Sequence, residues 1–254
     1  MLTFGVVGHV HAQSSSYVKE NPNQIKFNVM TLAGSKVSLE YERLLAKHVA
    51  IGVAVSMRPE ANLPLRSSIA DIIDDDRLTP LIEGFRGSNF SVTPELRFYT
   101  SSKGDMRGFY IAPFVKYTAH EVLVPYHFDY EVKYYGRTVY DREEIINLEG
   151  NTKSYTAGVS FGVNFKLSKH LMLDWRIVGP GYGFMDGQLV GKAQLADYEQ
   201  DGLRAELADL SKSLEDMPMG IDVDYSVNGE GVTFDVNKSP WATVRTGLSL
   251  SYKF

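Results

Sequence analysis

The chain ends VRTGLSLSYKF, and in that stretch every second residue is apolar or aromatic. A side-chain period of two marks an extended strand with one apolar face. The same pattern recurs in about eight segments. Val37, Leu39 and Tyr41 alternate with Lys36, Ser38, Glu40 and Glu42. Val49, Ile51, Val53, Val55 and Met57 alternate with Ala50, Gly52, Ala54 and Ser56. Further rows run from Phe90 to Phe98, Phe109 to Tyr117, Tyr155 to Leu167, Leu171 to Ile177 and Val244 to Phe254. Ile25, Phe27 and Val29 keep the phase less cleanly. Strands this long and amphipathic would aggregate through open edges, and closing the sheet on itself removes both edges.

Period two also suits a soluble β-sandwich. Two further features favour a membrane-spanning barrel. The polar phase is rich in small residues: Gly52, Gly158, Gly162 and Gly247, with Ser38, Ser56, Ser160 and Ser249. Small residues let a narrow barrel wall curve and its interior fill. Connections also differ by side. Those around LAKH, SSKGDMR and LSKH are short, whereas 58–89, 118–152 and 179–241 are long. Short turns at one end and long loops at the other characterise outer-membrane barrels. The expectation is therefore an all-β, eight-stranded, antiparallel up-and-down transmembrane β-barrel over 24–254. Its loops would be extracellular and both termini periplasmic.

Charge supports the same reading. The polar phase carries Glu40, Glu42, Glu95 and Asp174, and also Arg97, Lys116, Arg176 and Arg245. A charge on the lipid face at mid-bilayer costs about 2–4 kcal/mol, so these side chains are expected inside. There they must pair, because an unpaired buried charge is strongly destabilising. Eight strands leave a lumen about filled by side chains; a plug is expected, not a pore. The outward residues Leu248, Leu250, Tyr252 and Phe254 would face outer-membrane lipid, the two aromatics in the interfacial girdle. A terminal Phe after an alternating strand also resembles the insertion signal read by the barrel-assembly machinery of Gram-negative bacteria.

Composition excludes several classes. The net charge is −5 and no Lys/Arg-rich run occurs, so nucleic acid is not an expected partner. Cysteine is absent, which removes disulfides and thiolate metal sites. The first residues, MLTFGVVGHVHAQ, contain an apolar run followed by Val10 and Ala12 placed for a cut before Gln13. Residues 1–12 are expected to be a signal-peptide remnant and 13–23 a polar arm.

The segments SLEYERLLAKHVAIGVAV, VTPELRFYT, GFYIAPFVKY and YTAGVSFGVNFKLSKHLMLDW, with the C-terminal Phe254, resemble the small outer-membrane β-barrels of Bacteroidetes. These form a domain family of unknown function, distantly similar to OmpA and OmpX. The resemblance implies an eight-stranded barrel in the outer membrane and no catalytic residue to carry over.

Catalytic and metal-binding patterns are sparse in the sequence. His48 and His170 lie in short turns, and no His-x-Ser occurs for a triad of the lipid-deacylase kind. His120, Glu121, His127 and Asp129 crowd one segment without the spacing of a zinc site. The acidic run Asp74, Asp75 and Asp76 reads as a solvated loop. Asp222, Asp224, Ser226 and Asn228 offer oxygen ligands suited to calcium but lack a calcium-loop pattern. No cofactor is expected.

The fourth long segment is more informative. Leu203, Leu207, Leu210, Leu214 and Met217 recur at spacings of four and three, the stripe of an amphipathic helix. The stripe is expected either to pack over the barrel mouth or to dock another outer-membrane protein. The functional expectation is a non-enzymatic anchor or surface-interaction protein. A narrow channel or solute binder and a lipid-modifying enzyme are the alternatives.

Overall fold

A computed structural model describes residues 22–63, 65–75, 78–101, 106–134, 137–216 and 220–254. The candidate leader at 1–12 and nearly all of the polar arm lie outside these, as do Asp76 and Met217.

Antiparallel strands dominate: β1 (Asn23–Asn28), β2 (Val37–Ala46), β3 (Val49–Asn62), β4 (Arg86–Tyr99), β5 (Gly108–Tyr134), β6 (Arg137–Lys166), β7 (Leu171–Lys192), β8 (Val223–Asn228) and β9 (Gly231–Lys253). Each strand from β1 to β7 pairs with the next; β7 then pairs with β9, and β9 with β1. Eight strands thus close a barrel-like ring. Closure runs to the last residue: Asn23 N–H donates to Phe254 O (3.0 Å) and Phe254 N–H to Asn23 O (2.9 Å). An alternating, aromatic C-terminus is therefore part of a ladder, with Ile25 opposite Tyr252 and Phe27 opposite Leu250.

The ring has two unlike ends. The lower end carries Asn23, Phe254 and the connections β2–β3, β4–β5 and β6–β7. The upper end is uneven. β1 spans six residues and gives way to a 3₁₀ turn (Met30–Gly34), whereas β5 and β6 run for 27 and 30. β5 pairs with β4 only as far as Leu123 and β6 with β7 only from Leu148, so the β5–β6 hairpin continues well beyond its neighbours.

This corrects the sequence expectation for 58–89, 118–152 and 179–241, which are not simple loops. The first holds the end of β3 and two short helices, α1 (Arg66–Ile73) and α2 (Leu78–Gly84). The second is almost entirely hairpin, paired from Thr118–Ser154 up to Tyr134–Arg137. The third continues β7, then forms α3 (Asp197–Glu215) and β8. Alternation persists there in Val122, Val124, Tyr126 and Phe128, but it now serves a core above the ring.

α3 starts where Glu199 accepts the Ala196 N–H (2.8 Å) and places acids in its first turn, which suits the helix dipole. Its stripe faces inward: Leu203 and Leu207 are fully buried and Leu210 nearly so, against Phe128, Ile146, Val227 and Phe234. Each such side chain contributes about 1.5–3 kcal/mol. The stripe is thus covered by the chain's own walls, and Leu214 packs at its margin. In the isolated chain that face is taken up by the chain's own residues at Leu203, Leu207 and Leu210, with Leu214 partly covered.

Candidate functional site

Alternation sorts the ring's side chains into an outer and an inner set. The outer set is an apolar band. On β5 it runs from Phe109 through Ile111 and Val115 to Tyr117; on β3 from Ile51 through Val53 and Val55 to Met57. Leu250, Tyr252 and Phe254 are exposed at its lower edge, Tyr252 stacking on His170 (5.8 Å) and Phe254 on Tyr252 (6.4 Å), while Leu248 is half-buried above them. Tyr117, Tyr155 and Phe184 form a row at its upper edge, with centroids 5.2 and 5.5 Å apart. Between Arg43 below and Glu121 and Lys153 above, no outward residue of the ring carries a charge among the described residues.

The inner set is the opposite. Lys26 of β1 bridges Glu40 (3.2 Å), Glu42 and Asp174. Arg97 of β4, wholly buried, contacts Glu40, Glu95 and Asp174 at 2.5 Å each, and Glu42 at 3.3 Å. Arg176 reaches Glu40 (2.9 Å) and Glu95 (3.0 Å), and Arg245 reaches Glu95 (2.7 Å). Tyr99 donates to Glu42 (2.6 Å) and Tyr110 to Asp174 (2.8 Å). The Arg97 guanidinium lies 4.3 Å from the centre of the Tyr110 ring. Four acids meet four bases, so the core is electrically balanced at neutral pH. Carboxylate oxygens of Glu40, Glu42 and Asp174 lie within 4.8 Å of one another, a spacing a cation could fill. Lys26 and Arg97 already supply that positive charge.

β3 and β6 contribute no charge to this layer. They contribute room. A Cβ on Gly162 would collide with the Tyr110 hydroxyl, and one on Gly158 would sit 2.8 Å from Phe114. Below the charges, Met106 folds up from the β4–β5 turn and is completely buried with Tyr99 and Tyr110. Asn164 fixes it by donating to Met106 O (2.7 Å). The lumen is closed from beneath.

Two residues stand differently from the sequence reading. Lys26, outside the eight charges expected in the lumen, belongs to the core, in phase between Ile25 and Phe27. Lys116 is in the inward phase but lies above the core. Its ammonium donates to Thr243 Oγ1 (3.2 Å) and has no carboxylate partner among the described residues. Parity assigns a face and says nothing of height along the strand.

Above the core, then, is a cationic tier of Lys116, Lys36 and Arg58, and above that an apolar cup. The cup is a cavity of about 380 Å³. Its floor is His120, Thr152 and Trp241; its walls include Val122, Val124, Leu148, Leu189, Phe234 and Val236; α2 and α3 cover it with Leu81, Ile82, Leu210 and Leu214. His120 packs edge-on to Trp241 (5.9 Å) and lies near Ser154 Oγ (3.4 Å). Burial, with Lys116 and Lys36 adding positive charge, pushes the imidazole down to about 4. A wider recess of about 970 Å³ beside Gly191, Gly229 and Glu230 is an open surface depression near the start of α3.

The remaining candidates do not converge. His120 faces inward while Glu121 and His127 face outward, so they share no metal site. The Asp129 side chain is outside the described set. His170 Nδ1 meets Lys253 O (3.0 Å) and helps hold the last strand. Asp224, Ser226 and Asn228 line the exposed face of β8, and Asp222 receives no more than a serine contact through its backbone. Comparisons with protein-family models, with curated proteins and with solved structures find no match.

Proposed function

We propose that this chain is a transmembrane β-barrel of a Gram-negative outer membrane, sealed by its own ion pairs. It acts as a non-enzymatic anchor that carries a folded platform at the cell surface. One observation carries the reading: an uncharged apolar band encircles an interior of balanced, buried charge. Water would not favour that inversion, because a soluble ring buries its apolar face and solvates its charges. A bilayer favours both halves of it. On this reading the upper end is extracellular, the termini are periplasmic, and Phe254 is presented to the assembly machinery.

The sealed core argues against conduction. Among the described residues, Met106, the ion-paired layer and the helices above it leave no continuous path, so planar-bilayer recordings should show no channel steps. The membrane assignment is tested by fractionation and by gel mobility. The protein should sediment with outer membrane and migrate faster unheated than boiled in SDS. Recovery as a detergent-free soluble monomer would contradict it. A second reading, a solute-binding barrel, draws support from the cup above the seal.

A further inference from the structure

The cup has the attributes of a ligand site rather than of a packing fault. Its volume of about 380 Å³ falls within the ~300–1,000 Å³ of small-molecule sites. Its lining is almost wholly apolar, yet its floor rests on cations that the protein leaves unpaired. Lys116 Nζ reaches Thr243, two residues along β9 from Trp241 in the floor. Lys36 lies close enough to Lys116, Arg245 and Arg58 for their charges to bear on one another. Among the described residues neither lysine has a carboxylate partner, although the layer below pairs every charge it holds. Four acids balance four bases in one tier, whereas in the next, among the described residues, Lys116 and Lys36 have no acid and Arg58 meets only the Ala61 and Asn62 carbonyls, so negative charge is left to be supplied from outside.

The wall beside this tier is also incomplete. β1 pairs with β9 only up to Ser249, and β8 pairs with the same edge only from Val236 upward. Between them, residues 240–247 of β9 have no strand partner on that edge among the described residues. β3 above Met57 has none on its facing edge either, because β2 begins at Val37. The gap lies at the height of the upper band, since Pro240 pairs with Phe184 of the aromatic row. The 3₁₀ turn at Met30–Gly34 packs against β9 beside this break in the ladder, so a route of entry from the outer leaflet runs past that turn.

We propose that the cup binds a single-chain amphiphile with an anionic head, its hydrocarbon chain among the apolar walls and its head at the floor beside His120 and Trp241, facing the lysines of the tier beneath. This deepens the solute-binding reading and rests on the barrel assignment only for the route of entry. Carboxylate and phosphate heads satisfy the same lysines, and the test separates them.

Trp241 in the floor is the reporter. The other tryptophan, Trp175, is exposed in the band and is removed as Trp175→Phe. This protein, in nanodiscs of zwitterionic phospholipid, is titrated with 12-bromododecanoic acid, whose bromine quenches indole on contact. Saturable quenching is expected, reversed by dodecanoate or dodecyl phosphate, with dodecanol at least tenfold weaker. Whichever anion displaces better identifies the head. Lys116→Gln with Lys36→Gln should weaken binding at least tenfold. Val124→Trp, made with Trp241→Phe and read by dodecanoate calorimetry, fills the cup and should abolish binding while the gel mobility shift persists. Non-saturating quenching, or saturable binding in which dodecanol equals dodecanoate, overturns the proposal. If the protein proves soluble without lipid, the membrane reading fails, and the same titration in buffer still decides the cup.

Discussion

Arg245 and Glu95 are separated by 150 residues in sequence and meet at 2.7 Å inside the ring, joining the last strand to the fourth. Glu95 also receives Arg97 and Arg176, so one carboxylate sits among three guanidinium groups. Glu95→Gln removes the negative charge and leaves those cations short of a partner. The expected loss is about 3–5 kcal/mol, read from urea unfolding in lipid vesicles. Adding Arg245→Gln should recover part of it, because one unpaired cation goes with it. Equal stability of Glu95→Gln and the parent would show that the core is not a paired unit.

Gly162 tests the room given to Tyr110. A methyl there meets both the Tyr110 phenol and the Trp175 carbonyl at under 3 Å. Gly162→Ala should cost about 1–3 kcal/mol through overpacking, and Tyr110→Phe in the same protein should not relieve it fully, since the carbonyl remains. Unchanged stability would mean that the β6 wall is more yielding than its glycines imply.

α3 holds the upper platform. Leu207 is fully buried, so Leu207→Asp places an unpaired charge in the upper core. Limited proteolysis should then cut between β7 and β8, while the ring keeps its heat-dependent mobility. Loss of the ring as well would show that platform and ring fold as one unit.

His120 gives a pH signature. Its folded value of about 4 lies below the ordinary 6.5. The unfolded chain therefore binds the proton first as pH falls. Stability from the neutral imidazole is complete above about 6.5 and is lost as pH drops toward 4. Lys116 and Lys36 set this direction together with burial, while Ser154 and Trp241 are neutral neighbours. NMR of the His120 ring should show no titration between pH 8 and 5, and a midpoint near 6.5 would contradict the buried placement.

What could be read from sequence follows from what parity encodes. Period two assigned Glu40, Glu42, Glu95, Arg97, Asp174, Arg176 and Arg245 to one face, and they meet there because a narrow ring brings all inner faces within reach. It could not distinguish Lys116 from them, because height is fixed by register and not by phase. Lys26 was legible between Ile25 and Phe27 but fell in the strand with the weakest pattern. The upward run of β5 and β6 was hidden by polar residues such as Thr152 and Asn151, which sit in a hairpin solvated outside and apolar within. α1 carries no start signal: Leu65 precedes it in a left-handed conformation with no capping side chain, whereas Asp75, read as part of a solvated acidic run, accepts the Leu78 N–H at the start of α2 (3.0 Å). The cup was not legible at all, because its walls come from β5, β6, β7, β9 and two helices.

The central claim is that the outward band faces lipid. The chain has no cysteine, so single Cys substitutions need no altered background. Spin labels at Val53, Val159 and Leu250 in the band, and at Glu121 and Lys153 above it, are to be compared in proteoliposomes by collision with oxygen and with a water-soluble nickel chelate. The account predicts oxygen-dominated relaxation at the three band positions and nickel-dominated relaxation at the two charged ones. Nickel-dominated relaxation at Val53, Val159 and Leu250 would contradict it.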